Sequence, residues 1–319
     1  MGTQPDPVSN WCRSVVGKGV LVRRVLLITN PAAARTQPQI VGGVVDVLHR
    51  GGWAVEVQAT GGPGDARLFA AEAVDQDFDA VAVFGGDGTT MQAASALVGT
   101  DLVLGLIPGG TGNLLAGNLR VPAAPVRAAE TIVAGHVRRI DLGRLECQGT
   151  IQYFAVACGA GFDARVMIET PPELKHRWGM GAYVATIFKL LDHLKSATHL
   201  ITVDGMEYEA RAALVIVANC AEVVPPFIKF RHGISPEDGL LDVIVVRVDS
   251  LVDTVMAVRD LLRYGTDDPT SAGFVGYARG ESIEVRSTPV QPVQIDGDPG
   301  GHTPFTVQVV PKAIHVFAP

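Results

Sequence analysis

The first third of the chain alternates short β-rich runs with helix-length segments, and that alternation restricts it to a parallel sheet with crossover helices. The runs are Val25 to Thr29, Gln39 to Arg50, Ala54 to Ala59, Asp65 to Val74 and Ala80 to Phe84. A helix beginning near Thr90, a strand at Val103 to Ile107 and a further helix after Thr111, ending near Pro122, continue the pattern. Twice in succession a strand runs into a glycine-rich loop and then into a helix. Open sheets of this kind bind ligands at the carboxyl ends of their strands.

From about Gly143 the character changes. Tyr153 to Cys158, Leu200 to Val203, Tyr208 to Arg211, Leu214 to Asn219, Leu241 to Val248, Ser282 to Arg286 and Thr306 to Val310 are strand-like. Helical pattern survives mainly at Tyr183 to Leu194 and Leu251 to Tyr264. Asp204-Gly205 lies between two alternating runs and predicts a two-residue hairpin, because both turn positions need φ > 0. The second half therefore reads as an antiparallel sheet or sandwich. A length of 319 residues suits two domains. The expected division is an open α/β domain over residues 22–143 and an antiparallel β-sandwich domain over 144–319. The boundary falls between Ile140 and Leu145, residues 1–21 are expected to be flexible, and the C-terminal tail is free to return to the first domain. No internal repeat or low-complexity segment is visible.

Composition narrows the function classes. Charged residues are 18% of the chain against 47% hydrophobic, which fits a folded enzyme. The net charge of −7 lacks the basic footprint that a nucleic-acid backbone requires, so nucleic acid is excluded as an expected partner. Cys12, Cys147, Cys158 and Cys220 show no paired spacing and read as reduced, mostly buried thiols. No signal peptide is visible, and apolar runs such as Val25 to Ile28 fall far below the ~20 residues that span a bilayer. A cytoplasmic protein that at most visits the membrane surface is expected.

The sharpest local feature is Phe84-Gly85-Gly86-Asp87-Gly88-Thr89-Thr90, between an apolar strand and a helix. Its glycines allow close backbone approach, and amides near a helix N-terminus favour phosphate. Asp87 in the middle would repel phosphate unless a cation such as Mg²⁺ intervenes. The same residues also suit a tight turn capping a helix. A second loop, Pro108-Gly109-Gly110-Thr111-Gly112-Asn113, again opens a helix, with Thr111 and Asn113 either contacting a ligand or serving as ordinary N-caps. Asn30-Pro31 and Thr60, ending the first two strands, would share that edge.

Common alternatives are missing. Gly17-Lys18 is followed by Gly19, so no Walker loop is present. Asn30-Pro31-Ala32-Ala33-Ala34 stands where a dinucleotide fingerprint would be, and the protein-kinase triplets HRD and DFG are absent.

Asn30-Pro31, Gly85-Gly86-Asp87-Gly88-Thr89, Pro108-Gly109-Gly110-Thr111-Gly112-Asn113, Asp238-Gly239-Leu240-Leu241-Asp242 and Asp296-Gly297-Asp298 occur in a specific order. In that order they resemble the diacylglycerol kinase catalytic-domain family, in its bacterial lipid-kinase branch, which is similar to sphingosine and ceramide kinases. The resemblance extends from about Arg24 to Pro319. It implies an ATP- and Mg²⁺-dependent kinase whose nucleotide and lipid substrate, such as diacylglycerol, meet between an α/β domain and a β-sandwich domain. It also implies that Asn30, Thr60, Gly85, Gly86, Asp87, Gly88, Thr89, Gly110, Thr111 and Asn113 surround the nucleotide. Asp87 would work through metal or water, and Asp296 would accept the lipid hydroxyl's proton. Phosphoryl transfer depends mainly on positioning and charge stabilisation, with one carboxylate orienting the attacking hydroxyl, which agrees with this assignment.

Two departures from the family pattern stand out. Asp298 replaces a Glu expected beside metal or nucleotide, and Met91-Gln92 stands where the family carries Asn-Glu. Asp296 also suits an ordinary Asp-Gly turn. Asp238 and Asp242 bracket a segment whose spacing allows two carboxylates and a carbonyl around one hard cation. The resemblance implies a structural Mg²⁺ held by Asp238, Asp242 and the Leu240 carbonyl, while a plain turn entering a strand uses the same residues. The segment Pro171 to Trp178, with Lys175, His176 and Arg177, suits either transient contact with an anionic membrane surface or a solvated loop. The resemblance admits a homodimer through the β-rich domain. A soluble-substrate kinase resembling NAD kinase and a nucleotide-binding regulator without catalysis are the competing expectations.

Overall fold

A computed structural model describes residues 22–161, 196–224, 228–229, 233–247 and 275–319. Cys12, the segment Pro171 to Trp178 and the expected helices at Tyr183 to Leu194 and Leu251 to Tyr264 lie outside the described residues.

The first lobe is a βα alternation. In order it comprises β1 (Arg23–Thr29), α1 (Pro38–Arg50), β2 (Trp53–Ala59), α2 (Asp65–Val74), β3 (Ala80–Gly85), α3 (Asp87–Ala96), β4 (Val103–Pro108), α4 (Leu114–Asn118) and α5 (Pro125–Ala134). Every residue of β3 and β4 is buried, as expected of parallel strands covered on both faces. Pro38 opens α1, where a missing N–H costs nothing, and Val44, Val47 and Leu48 turn that helix onto the sheet. The register aligns Thr29 with both Ala59 and Phe84, and Gly85 with Pro108. The carboxyl ends of β2, β1, β3 and β4 therefore form one edge.

The rest is β-rich: β5 (Val137–Cys147), β6 (Thr150–Phe154), β7 (Ala157–Gly161), β8 (Ala197–Val203), β9 (Met206–Ala212), β10 (Leu214–Ala218), β11 (Glu222–Val224), β12 (Ile228–Lys229), β13 (Leu241–Val246), β14 (Val275–Gly280), β15 (Ser282–Thr288), β16 (Pro292–Ile295), β17 (Asp298–His302) and β18 (Phe305–Phe317). One sheet of six antiparallel strands runs β14-β13-β10-β7-β16-β17. A ten-stranded sheet runs β2-β1-β3-β4-β18-β15-β8-β9, with β5 on β18 and β6 on β5. Leu145, Phe154, Val217, Val285 and Phe305 fill the core between the two sheets. β18 closes the molecule, because His315 and Val316 pair in parallel with Val103 and Leu104 of the first lobe. Asp204 and Gly205 join β8 to β9 with φ of 47° and 83°, the predicted hairpin.

Three sequence expectations shift. The first loop-borne helix begins at Asp87, not near Thr90, so the carboxylate sits inside the first helical turn. The second helix stops at Asn118 because Arg120 takes φ of 61°, which ends the spiral well before Pro122. Tyr153 to Cys158 is not one strand: β6 ends in one sheet and β7 begins in the other. The apolar run continues through the crossing, so its pattern does not show where the sheets part. Phe154 lies across Gly143, where a Cβ would come within 2.1 Å of the ring, so a side chain there would block the crossing. No helix among the described residues is long and apolar enough to cross a membrane.

Candidate active site

The two glycine loops pack directly on each other. A Cβ on Gly110 would lie 2.7 Å from the Gly86 Cα, and one on Gly109 would lie 3.2 Å from the Gly85 Cα. Gly109 N–H donates to the Gly85 carbonyl at 2.8 Å. Only bare backbones fit at this separation. Asn113, at φ of 50°, closes its own loop by accepting from Gly110 N–H at 3.0 Å and donating to the Gly110 carbonyl at 2.7 Å.

Asp87 joins the loops electrostatically. Its Oδ1 accepts the Leu114 N–H at 2.6 Å, so the cap of α4 is a carboxylate from α3 and not Thr111 or Asn113. Burial raises the Asp87 pKa, opposed by the amides of Leu114, Asn113 and Leu115. The cavity at the loops, bounded by Asp87, Thr90, Asn113 and Leu115, is water-sized and too small to hold a nucleotide.

The remaining edge residues converge on the same place. Asn30 Nδ2 donates to the Thr89 hydroxyl at 2.8 Å and Asn30 N–H to the Phe84 carbonyl at 3.0 Å, fixing β1 to the first loop. Thr60 continues the row, its N–H on the Thr29 carbonyl at 2.9 Å. Gln92 accepts the Gly64 N–H at 3.0 Å and so ties α3 to the loop after β2. Thr111 is exposed at the tip of its loop.

From the second lobe comes the turn of the β16–β17 hairpin, with Asp296 at φ of 46° and Gly297 at 90°. It is an Asp-Gly turn, but its carboxylate faces inward. Oδ1 accepts the N–H groups of Val156 and Ala157, both at 2.9 Å, and Oδ2 accepts that of Ala155 at 2.8 Å. A carboxylate offers about four lone-pair positions, so one on Oδ2 is left over. Burial raises the Asp296 pKa to about 6, the three amides oppose the rise and the Asp87 charge adds to it. The Asp87 charge thus reaches Asp296, which puts the two carboxylates, one from each lobe, within electrostatic range of each other. Asp298 is exposed, with Oδ2 within 3.5 Å of where a Gly88 Cβ would lie, so the shorter side chain still reaches the first turn of α3.

Two family models cover nearly all of this architecture: "Diacylglycerol kinase catalytic domain" over residues 24–145 and "YegS C-terminal NAD kinase beta sandwich-like domain" over residues 156–318. The chain belongs to the diacylglycerol kinase catalytic-domain family. A diacylglycerol kinase of Bacillus subtilis is 27% identical over 302 residues, 93% of this chain and 97% of that one. An uncharacterized Synechocystis protein is 32% identical over 237 residues, 74% of this chain, which spans only 54% of that relative's length. A crystal structure of a Bacillus anthracis protein assigned as a diacylglycerol kinase matches with a TM-score of 0.78 and 26% identity, covering 93% and 98% of the two chains. Membership in the diacylglycerol kinase family makes the chain a kinase with an alcohol acceptor.

The expected structural Mg²⁺ site of this kinase family looks different here. Arg279, on β14, pairs with Asp238 and places its Nε 3.4 Å from Asp242 Oδ2. Asp238 Oδ1 accepts the Leu240 N–H at 3.0 Å. A guanidinium therefore already lies against both carboxylates and offsets one of their two charges, and a divalent ion would have to displace it, so the residues as arranged do not fit a resident metal. Among the described residues no group of three or more His, Cys, Asp or Glu side chains gathers as metal ligands.

Several groups at the site carried no sequence signal. The amides of Ala155, Val156 and Ala157 belong to apolar residues, and their role follows from the sheet crossing alone. Asp141, fully buried, accepts Gly239 N–H and Lys312 N–H, both at 2.7 Å, and holds the Asp238 loop to the irregularity in β18. An acidic residue between the apolar Ile140 and Leu142 was the only signal for it.

Proposed function

We propose that the protein transfers the γ-phosphoryl group of ATP, bound with its Mg²⁺, to the hydroxyl of a membrane lipid such as diacylglycerol. The triphosphate lies against the paired glycine loops, where Gly85, Gly86, Gly88, Thr89, Gly110, Thr111, Asn113, Asn30 and Thr60 line the edge. The free lone pair on Asp296 Oδ2 takes the proton of the lipid O–H. The alkoxide oxygen bonds to the γ-phosphorus as the bond from that phosphorus to the β–γ bridging oxygen breaks, and ADP leaves. Asp87 and Asp298 flank the path of the metal-bound phosphates.

The observation that supports this reading most is the state of Asp296. A carboxyl held at about 6 is ionised at neutral pH yet more basic than an exposed aspartate, as a general base should be. A lipid acceptor also accounts for the expected transient contact with a membrane surface, and a homodimer is compatible with the fold.

A soluble acceptor is the second reading, because the second-lobe family model is itself described as NAD kinase-like. Purified protein given Mg²⁺ and γ-labelled ATP, with a total lipid extract in one reaction and NAD in another, separates them. Label in an organic-extractable product supports the lipid kinase. Labelled NADP would replace it with the soluble kinase, and ATP binding without transfer to either would indicate a regulator.

A further inference from the structure

We propose that Asn219 and Cys220 are positioning residues for the proposed base: together they clamp the two peptide planes whose N–H groups aim at Asp296. The inference rests on the assignment of Asp296 as that base.

Asn219 is fully buried immediately after β10, beside the turn from β6 to β7. Its Nδ2 donates to the Ala155 carbonyl at 2.8 Å and to the Asp141 carbonyl at 2.9 Å. Cys220 Sγ donates to the same Ala155 carbonyl at 3.2 Å. The backbone N–H groups of Asn219 and Cys220 both donate to the Val156 carbonyl, at 2.8 and 3.1 Å.

A peptide unit is planar, and in its trans form the C=O and the next N–H point in opposite directions. Holding the Ala155 carbonyl therefore sets where Val156 N–H points, and holding the Val156 carbonyl sets Ala157 N–H. Both of those amides land on Asp296 Oδ1. The clamp saturates Oδ1 and leaves Oδ2, which has only the Ala155 amide, as the oxygen with room for a substrate proton. Packing alone needs none of this: a Leu, larger but branched at the same atom, would fill the space of Asn219 without holding a carbonyl.

Amide bonds favour the ionised carboxylate, so loosening the clamp should make Asp296 harder to ionise. The charged or titratable groups facing Asp296 are Asp87 across the groove and Cys220, which itself faces Arg138 and Glu222. None of them is altered by replacing Asn219.

The test is the pH profile of kcat/KM for transfer from labelled ATP to diacylglycerol in mixed micelles. Asn219→Leu should move the acid limb upward by about one pH unit, which means a loss of about eightfold at pH 5.5 but less than about twofold at pH 8. Cys220→Ala should move it in the same direction by less, and Cys220→Ser, which restores a donor to Ala155, should rescue the limb toward its wild-type place. If Asn219→Leu fails to fold, the Ala and Ser replacements of Cys220 decide alone. A uniform loss at every pH, with the limb unmoved in these variants, would reduce both residues to structural ones and overturn the proposal. Undiminished transfer by Asp296→Asn would instead remove the base assignment beneath it. An acid limb that Asp296→Asn abolishes but the Asn219 and Cys220 variants leave in place would sink the clamp alone.

Discussion

Replacing Asp296 by Asn separates the cost of holding a buried carboxylate from its use. The folded protein lifts this carboxyl from 3.8 to about 6, which corresponds to about 3 kcal/mol. The sign follows from which state binds the proton. Below pH 3.8 both folded and unfolded chains are protonated and nothing is lost. Between 3.8 and about 6 the unfolded chain ionises first, so stability falls as pH rises and stays lower by the full amount above 6. Asn removes that dependence. It tolerates φ of 46° as Asp does, and its oxygen still accepts the Val156 and Ala157 amides. Its NH₂ would face the Ala155 N–H, leaving an unsatisfied donor that costs about 1–3 kcal/mol at every pH.

Denaturant melts of both proteins from pH 4 to 8 should therefore show the Asn variant gaining about 2.5 kcal/mol relative to wild type across the range, since part of the full change has already occurred at pH 4. Carboxylates that do not interact with Asp296 titrate alike in both chains and cancel in the difference, whereas Asp87, which does interact with it, adds a smaller contribution of its own. Transfer to lipid should fall about 10²- to 10⁴-fold with ATP affinity retained, the range expected for loss of a general base. A stability difference constant across pH would mean that the carboxyl is not perturbed. A kcat within about tenfold of wild type would mean that it takes no proton.

Removing the Asp87 charge should lower the acid limb of kcat/KM below about 6 in Asp87→Asn, because that charge raises Asp296; a limb that stays put would show the two carboxylates to be uncoupled. Gly110→Ala should destabilise by about 1–3 kcal/mol in thermal melts and weaken ATP binding, since its Cβ meets the Gly86 backbone and no flexible side chain can yield. Without nucleotide, the wild-type melting temperature should ignore Mg²⁺ and EDTA, while Arg279→Met, with Asp238 and Asp242 no longer paired to a cation, should be stabilised by Mg²⁺. Loss of wild-type stability in EDTA would show instead that a divalent ion displaces the guanidinium.

The first lobe was legible because its signals are local. An apolar run, a glycine loop and an amphipathic segment each announce themselves within about ten residues, and Asp65–Val74 falls where the periodicity put it. The glycine loops were readable as a pair, but not their mutual contact, which requires parallel β3 and β4 to be in register at Gly85 and Pro108. The reading of Asp87 was half complete. Its place in a loop suggested a cation, whereas in space it caps a helix 27 residues away. The clamp around Asp296 was illegible because four of its five members, Ala155, Val156, Ala157 and Cys220, act through backbone or a thiol. Arg279 was invisible for a different reason: an isolated basic residue in a strand has no spacing to the acids it pairs with.

The join between the lobes bears on how such a site can work. Catalysis by positioning gains most when the groups that meet at the phosphorus are held without reorganisation. Here β5 and β18 run alongside each other from Phe305↔Cys147 to Phe317↔Val137, and β18 then pairs with β4, so one sheet passes through both lobes. At the opposite side Asn118 exchanges two hydrogen bonds with the Glu222 backbone, at 2.7 and 3.0 Å, and Arg120 meets the Glu222 carboxylate at 2.8 Å. α4 is thus capped at one end by Asp87 and tied at the other to the second lobe. Opening the groove as a hinge would bend β5 and β18 together where their pairing is irregular, between Val310 and Ile314, and would break the Asn118–Glu222 tie. The tie at Glu222 and the shared sheet therefore act together to hold Asp87 and Asp296 on facing lobes, and the residues left exposed beside them are Gly88, Thr111 and Asp298.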